Sequence, residues 1–252
     1  MNNFSFHPSK HNFWPIYDAI KLYYPIGIKC ADQSIYFDYP GIKRLEAVVV
    51  ENIHNRDNSN NLNWVSFQEE ISKRFNIEVV GTTYGQATSF SCDLIIKKFE
   101  QDQLKSVKKL SIAVSLLGKF FTIYGVDETI VVDKNDNIFD FNFHAINVLT
   151  VSPYKEFETL FKGLKSIVEA RFTDYKFVPF AINSTYLEGL QVRGLDNQQC
   201  TIYKALFNHL LDTYDTRKMT RGNKFFGYDD WIIENFDPAN DIIVEFKPIE
   251  KT

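Results

Sequence analysis

Between Ser89 and Thr150 the apolar residues arrive in short runs broken by Gly, Asp, Asn and Lys. Ser-Phe-Ser-Cys-Asp-Leu-Ile-Ile from Ser89, Leu-Ser-Ile-Ala-Val-Ser-Leu-Leu-Gly from Leu110, Lys-Phe-Phe-Thr-Ile-Tyr-Gly from Lys119 and Thr-Ile-Val-Val-Asp from Thr129 follow one another, and a last run ends at Thr150. Short runs at such spacing predict an antiparallel meander over 89–150. The phase along two of them is clear. Leu110, Ile112, Val114 and Leu116 share one face, with Ser111, Ala113 and Ser115 on the other. The small second face predicts a closely packed neighbour, a helix. Over Asn137 to His144, Phe139, Phe141 and Phe143 alternate with Asp140, Asn142 and His144.

Elsewhere the periods change. Ile16, Ala19, Ile20, Tyr23 and Tyr24 recur at helical spacing behind Pro15, a residue suited to a first helical turn. Ile35–Tyr39 and Leu45–Ile53 read as strands, the second covered on both faces because of Val48-Val49-Val50. Trp64, Phe67, Ile71 and Phe75 mark an amphipathic helix capped by Asn63, and Ile77–Val80 a strand, giving a β-α-β segment. With Ser152 as cap and Pro153 at the first position a helix is expected, buried through Phe157, Leu160, Phe161, Leu164, Ile167, Val168 and Phe172. Strands at Tyr175–Ile182 and Tyr186–Arg193, a helix over Gln199–Leu211, one or two helical turns within Tyr228–Phe236 and a strand from Ile242 complete the chain. The class is α+β: a mainly antiparallel, twisted sheet with packed helices, forming one domain over 1–252 or two intimate lobes divided near 150.

Composition narrows the classes little. The 252 residues suffice for a substantial core. A formal charge of -4 argues against a general nucleic-acid binder. Cys30, Cys92 and Cys200 are too far apart and too few for a disulfide framework or a Cys-x-x-Cys site. No run reaches the apolar length of a membrane span, and Pro8 and Pro15 interrupt the leader, so a cytoplasmic protein is expected.

Motifs of chemistry are weak. His7 and His11 stand four apart but flank a proline-bearing leader. His54 and Asp57 are the residue types of an acid-base couple, but they border an Asn-rich loop and read as solvated. Gly81-Thr-Thr-Tyr-Gly lacks the Lys-Ser/Thr that a phosphate loop needs and reads as a hairpin or bulge. Asp140, Asn142 and His144 form the best catalytic-looking trio, although a half-exposed strand shows the same alternation. His209 sits in an apolar helical context and reads as a boundary or core histidine. No metal or cofactor is expected.

Charge is unevenly spread. Asp127, Glu128, Asp133, Asp136 and Asp140 are opposed only by Lys134. Asp229, Asp230, Glu234, Asp237, Asp241 and Glu245 interleave with Tyr228, Trp231, Ile232 and Phe236. Rings amid carboxylates make a docking surface for a basic partner, with Tyr228, Asp229, Asp230, Trp231, Glu234, Asp127, Glu128, Asp133 and Asp136 as its contacts. Arg217, Lys218, Arg221 and Lys224, just upstream, are the bases that would instead neutralise these acids internally.

Lys119-Phe-Phe-Thr-Ile-Tyr-Gly, Phe177-Val-Pro-Phe-Ala-Ile, Thr201-Ile-Tyr-Lys-Ala-Leu-Phe and Gly227-Tyr-Asp-Asp-Trp give the chain a style that resembles immunity proteins of bacterial polymorphic toxin systems. The resemblance implies a cytoplasmic protein without catalysis that blocks a cognate toxin, covering its active site with acidic groups. A small hydrolase or nucleotide-handling enzyme built on Asp140, Asn142 and His144 is the first alternative, and an oligomeric scaffold the second.

Overall fold

A computed structural model describes residues 4–6, 10–29, 31–133, 141–192, 200–211, 219–233 and 244–246; of 4–6, 133, 141, 142 and 244–246 only the backbone is described. The chain is α+β, organised on a mainly antiparallel sheet of seven strands. Strand β1 (Phe4–Phe6) is followed by helices α1 (Trp14–Tyr23), α2 (Gln33–Asp38), α3 (Pro40–Val49) and α4 (Ser59–Phe75). The long strands come next: β2 (Glu78–Gly81), β3 (Ser89–Gln101), β4 (Leu104–Ser115), β5 (Phe120–Asp133) and β6 (Phe141–Thr150). Then follow α5 (Glu158–Arg171), β7 (Lys176–Phe177), α6 (Phe180–Asn183), α7 (Ile202–Leu206), β8 (Met219–Arg221) and β9 (Val244–Phe246).

Strands β2 to β6 lie side by side in chain order, all antiparallel; β3 to β6 are the expected meander, and β2 extends it. Two short parallel additions close it: β8 on β6, and β7 on the first residues of β5. β1 and β9 pair separately.

The alternation seen at Leu110 divides the core in two. Cys92, Leu94, Leu110, Ile112, Phe121 and Ile123 pack beneath α4 and α5, against Phe67, Ile71, Phe161 and Leu164. The opposite face, through Ala113, Tyr124, Val126 and Leu149, meets α1 to α3, α6 and α7. Both clusters draw residues from before and after Thr150.

Small residues on that second face have a specific use. Helix α7 ends against the sheet, where its last carbonyls lack intrahelical partners. Ser115 Oγ donates to Leu206 O at 2.7 Å, and Ser89 Oγ to Phe207 O at 2.8 Å. Thr88 Oγ1 donates to Ala205 O and Phe207 O, and Tyr24 OH reaches Ala205 O at 2.8 Å. Short side chains let the helix end approach, and their hydroxyls satisfy it. Buried Asn183 tightens the neighbouring layer, donating through Nδ2 to Thr122 Oγ1, Tyr124 OH and Val178 O.

Several expectations change. Ile35–Asp38 and Leu45–Ile53 are helical, not strands, with Tyr39 the extended link before Pro40 opens α3, and Ile42 and Val49 then fall on its buried side while Val50 is exposed. The β-α-β segment therefore reduces to α4 and β2. Asn58, not Asn63, caps α4, accepting from Asn60 N at 2.8 Å. Ser152 accepts from Asn223 N instead of capping a helix, and α5 begins after a tight turn over Lys155–Phe157. Tyr175–Ile182 holds only the two-residue β7 before the α6 turn, Tyr186 makes one bridge to Thr201, and α7 stops at Leu206.

Ser115→Ala should destabilise the chain by about 1–3 kcal/mol, since the Leu206 carbonyl would lose its partner. Urea unfolding measures this; a midpoint equal to that of the unaltered chain would show that water replaces the hydroxyl.

Candidate functional site

The docking surface read from the acidic runs does not assemble as expected. Trp231 is 1% exposed. Its Nε1 donates to Phe177 O at 2.7 Å, and its ring stacks near Phe120 and Phe13. Gly227, at φ +89°, lets the chain turn sharply into Tyr228–Trp231 and delivers the indole to the core. Trp231 is therefore a packing residue, not an exposed anchor. Tyr228 is half-buried against Phe13 and Phe225. Asp229 and Asp230 remain exposed, with Asp230 3.1 Å from Lys165. Burial alone would lower the Lys165 ammonium, but Glu169 and Asp230 outweigh it and raise its pKa. Asp230 is thus partly neutralised by α5, not by Arg221 or Lys224.

Among the first acidic run, Asp127 lies 3.6 Å from Lys108, which also pairs with Glu156. Glu128 faces the other side of the sheet and is buried. Asp136, Asp140 and Glu234, with Arg217 and Lys218, lie outside the described residues, as do the side chains of Asp133 and Asn142. His7 and Cys30 are outside as well. His11 is buried and stacked on Phe13. His54 Nε2 meets Gly85 O at 2.8 Å instead of Asp57. The 82–88 segment links β2 to β3 as a hairpin connection, held by Thr82 N to Ser91 O and Ala87 N to Tyr84 O.

What the tertiary structure does assemble is a cleft on the second sheet face, beyond the end of α7. Its volume is about 980 Å³. Four adjacent strands contribute to its floor: Asp93 from β3, Lys109 from β4, Glu128 from β5 and His144 from β6. Register places them together. Asp93 lies opposite Ser111, Lys109 opposite Val126, and Glu128 opposite Ile146, and directly opposed residues share a face. Between Asp127 and Glu128 the β5–β6 register shifts, leaving Asn147 as an extra residue; its Nδ2 donates to Thr129 Oγ1.

The floor is an ion chain. Lys109 Nζ lies 2.9 Å from both Asp93 Oδ2 and Glu128 Oε2. Asp93 Oδ1 accepts from Ser111 Oγ at 2.6 Å. All three charged side chains are 10–15% exposed. Burial alone would depress the Lys109 ammonium, but the Asp93 and Glu128 charges hold its pKa above the ordinary lysine value. Lys109 is therefore a fixed cation. Two carboxylates around one ammonium leave the floor with a net negative charge. His144 Nδ1 stands 4.0 Å from Glu128 Oε1, outside hydrogen-bond reach.

The walls are mixed. Tyr203 donates to Asn208 Oδ1, and burial raises its hydroxyl pKa well above the usual value. His209, whose backbone N donates to Tyr84 OH, has its imidazole pKa lowered by desolvation and then by the Lys204 charge. Cys92 and Cys200 are buried, and burial pushes the Cys92 thiol up, away from reactivity. Among the described residues no group of three His, Cys, Asp or Glu side chains converges to hold a metal ion.

No family model, curated protein or solved structure matches the chain. Its function must therefore be argued from the cleft itself.

Asp93 and Lys109 were not singled out from the sequence, although a signal exists. Lys109 falls in phase with Ser111, Ala113 and Ser115, and Asp93 out of phase with Cys92 and Leu94. Opposite charges in the same phase of adjacent strands indicate a cross-strand pair.

Removing the central cation should expose the cost of the arrangement. Lys109→Met is expected to destabilise the fold by about 3–5 kcal/mol at neutral pH, as two buried carboxylates lose their counter-charge. Because the folded pKa of Lys109 is raised, its contribution is complete below the unfolded value near 10.4 and is lost as pH rises through the folded one. The deficit of Lys109→Met should therefore shrink as pH rises above that value. Thermal melts across pH test this, and a pH-independent deficit would refute the electrostatic account.

Proposed function

We propose that this chain is a non-enzymatic binding protein, an inhibitor of the immunity type that occludes a cognate, basic partner. The carrying observation is the cleft floor, in which Asp93, Lys109 and Glu128 are locked together with net negative charge. Lys109, held as the ammonium, offers no lone pair to accept a proton, and the Ser111 hydroxyl is committed to Asp93. Such a floor attracts and orients a cation without supplying bond-making chemistry. The formal charge of -4 and the exposed Asp229 steer in the same direction.

The partner class implied is a protein toxin with a basic surface, met in the bacterial cytoplasm; the acidic balance disfavours nucleic acid. Among the described residues no helix is long and apolar enough to cross a membrane. One observation favours the hydrolase reading: His144 lines the cleft 4.0 Å from Glu128, a pair that a bound substrate could bring into contact.

The decisive experiment uses the reading frame beside this chain's gene. Its product alone should arrest growth, and co-expression of this chain should restore it. The purified pair should form a complex that weakens about tenfold or more between roughly 0.05 M and 0.5 M salt. Growth arrest that co-expression leaves untouched would sink the inhibitor reading. Turnover of an ester or nucleotide, abolished by His144→Ala, would replace it with the enzyme.

A further inference from the structure

We infer that the cleft on the second sheet face receives one basic side chain of a protein partner, with the Glu128 carboxylate as the acceptor of its cation. This rests on the inhibitor reading and names the group that reading leaves open.

Glu128 is the asymmetric member of the ion chain. Asp93 uses both oxygens, one for Ser111 and one for Lys109. Glu128 spends Oε2 on Lys109, whereas Oε1 has no hydrogen-bond partner among the described residues, with His144 Nδ1 4.0 Å away. The residue is only 8% exposed, yet Oε1 is not among the fully enclosed polar atoms, so what remains accessible opens to the cleft. A carboxylate oxygen open to a cleft and short of donors is a strong acceptor for a charge-assisted hydrogen bond. The charges facing it point the same way. Lys109 is divided between two acids, and His209 has its pKa lowered, which favours the neutral ring near pH 7.

The walls specify what carries the cation. Ala113, Ile146, Leu210 and Leu211 line the same cleft. An apolar wall leading to an anionic end matches a lysine or arginine, whose methylene stem packs on apolar surface while its head seeks the charge. The volume of about 980 Å³ is at the upper end for pockets that hold whole ligands. It accommodates the side chain together with the backbone that bears it, which favours a protein-borne cation over a free amine. A metal ion is poorly served, since no three ligating side chains converge among the described residues.

The test needs no knowledge of the partner. Blocked pentapeptides with a central arginine, lysine or citrulline, and free agmatine, are titrated into the intact isotope-labelled chain and followed by amide and side-chain shifts. Saturable binding of the arginine or lysine peptide, with shifts centred on β4 to β6, is expected. The neutral citrulline peptide and free agmatine should each bind about tenfold more weakly, and Glu128→Gln should reduce peptide affinity by a similar factor. Equal binding of the citrulline peptide, or shifts away from these strands, overturns the cationic site. Agmatine binding as tightly as the peptides overturns the protein-borne source. If Glu128→Gln does not fold, the arginine–citrulline contrast on the unaltered chain decides. Peptide binding without rescue of growth would discard the inhibitor reading and keep the site; rescue undiminished by a folded Glu128→Gln variant would do the reverse.

Discussion

The structure depends on one constraint: the central strands are buried on both faces, so each polar atom brought to the second face needs a partner. Ile112, Val114, Phe121 and Ile123 meet this easily, being apolar beneath α4 and α5. The reverse phase carries Ser89, Ser91, Asp93, Ser111, Ser115 and Thr122, all little exposed or enclosed by neighbouring chain. An unpaired polar group there would cost a few kcal/mol, a large share of the stability of any ordinary domain. Hydroxyls near α7 solve the problem by satisfying the helix's own orphan carbonyls. Two deficits cancel, and the helix end is fixed in place.

Farther along the same strands the helical cover ends, and the constraint is met differently. Asp93, Lys109 and Glu128 pair with one another instead of with backbone. Such a chain gives little net stability against an apolar replacement, because desolvation offsets most of the attraction. Its consequence is an anionic floor of defined geometry, open on one side. The cleft and the α7 contact are thus two outcomes of one pattern, separated by whether a helix covers it.

Much of this was legible along the chain. The meander over 89–150, the amphipathic α4 and α5, and the small face that admits a helix all follow from period and residue size. The errors were local. Val48-Val49-Val50 resembles a buried strand, yet Pro40 starts a helix and carries the run through its end; a short apolar run does not reveal its period. Trp231 sits among acids in sequence, but the turn at Gly227 sends it inward while Asp229 and Asp230 stay out. Local composition says nothing about which side of a tight turn faces the core.

The chain by itself determined the two-faced strands, their antiparallel character and the helices able to cover them, because burial of alternating side chains is a local, periodic requirement. The tertiary structure alone decided that Asp93, Lys109, Glu128 and His144 stand side by side. They come from four strands spanning some fifty residues, and their meeting depends on inter-strand register and on a one-residue shift at Asn147. A slip by a single residue would turn each side chain to the opposite face. Register of that accuracy is set by the whole packed sheet and by no segment within it.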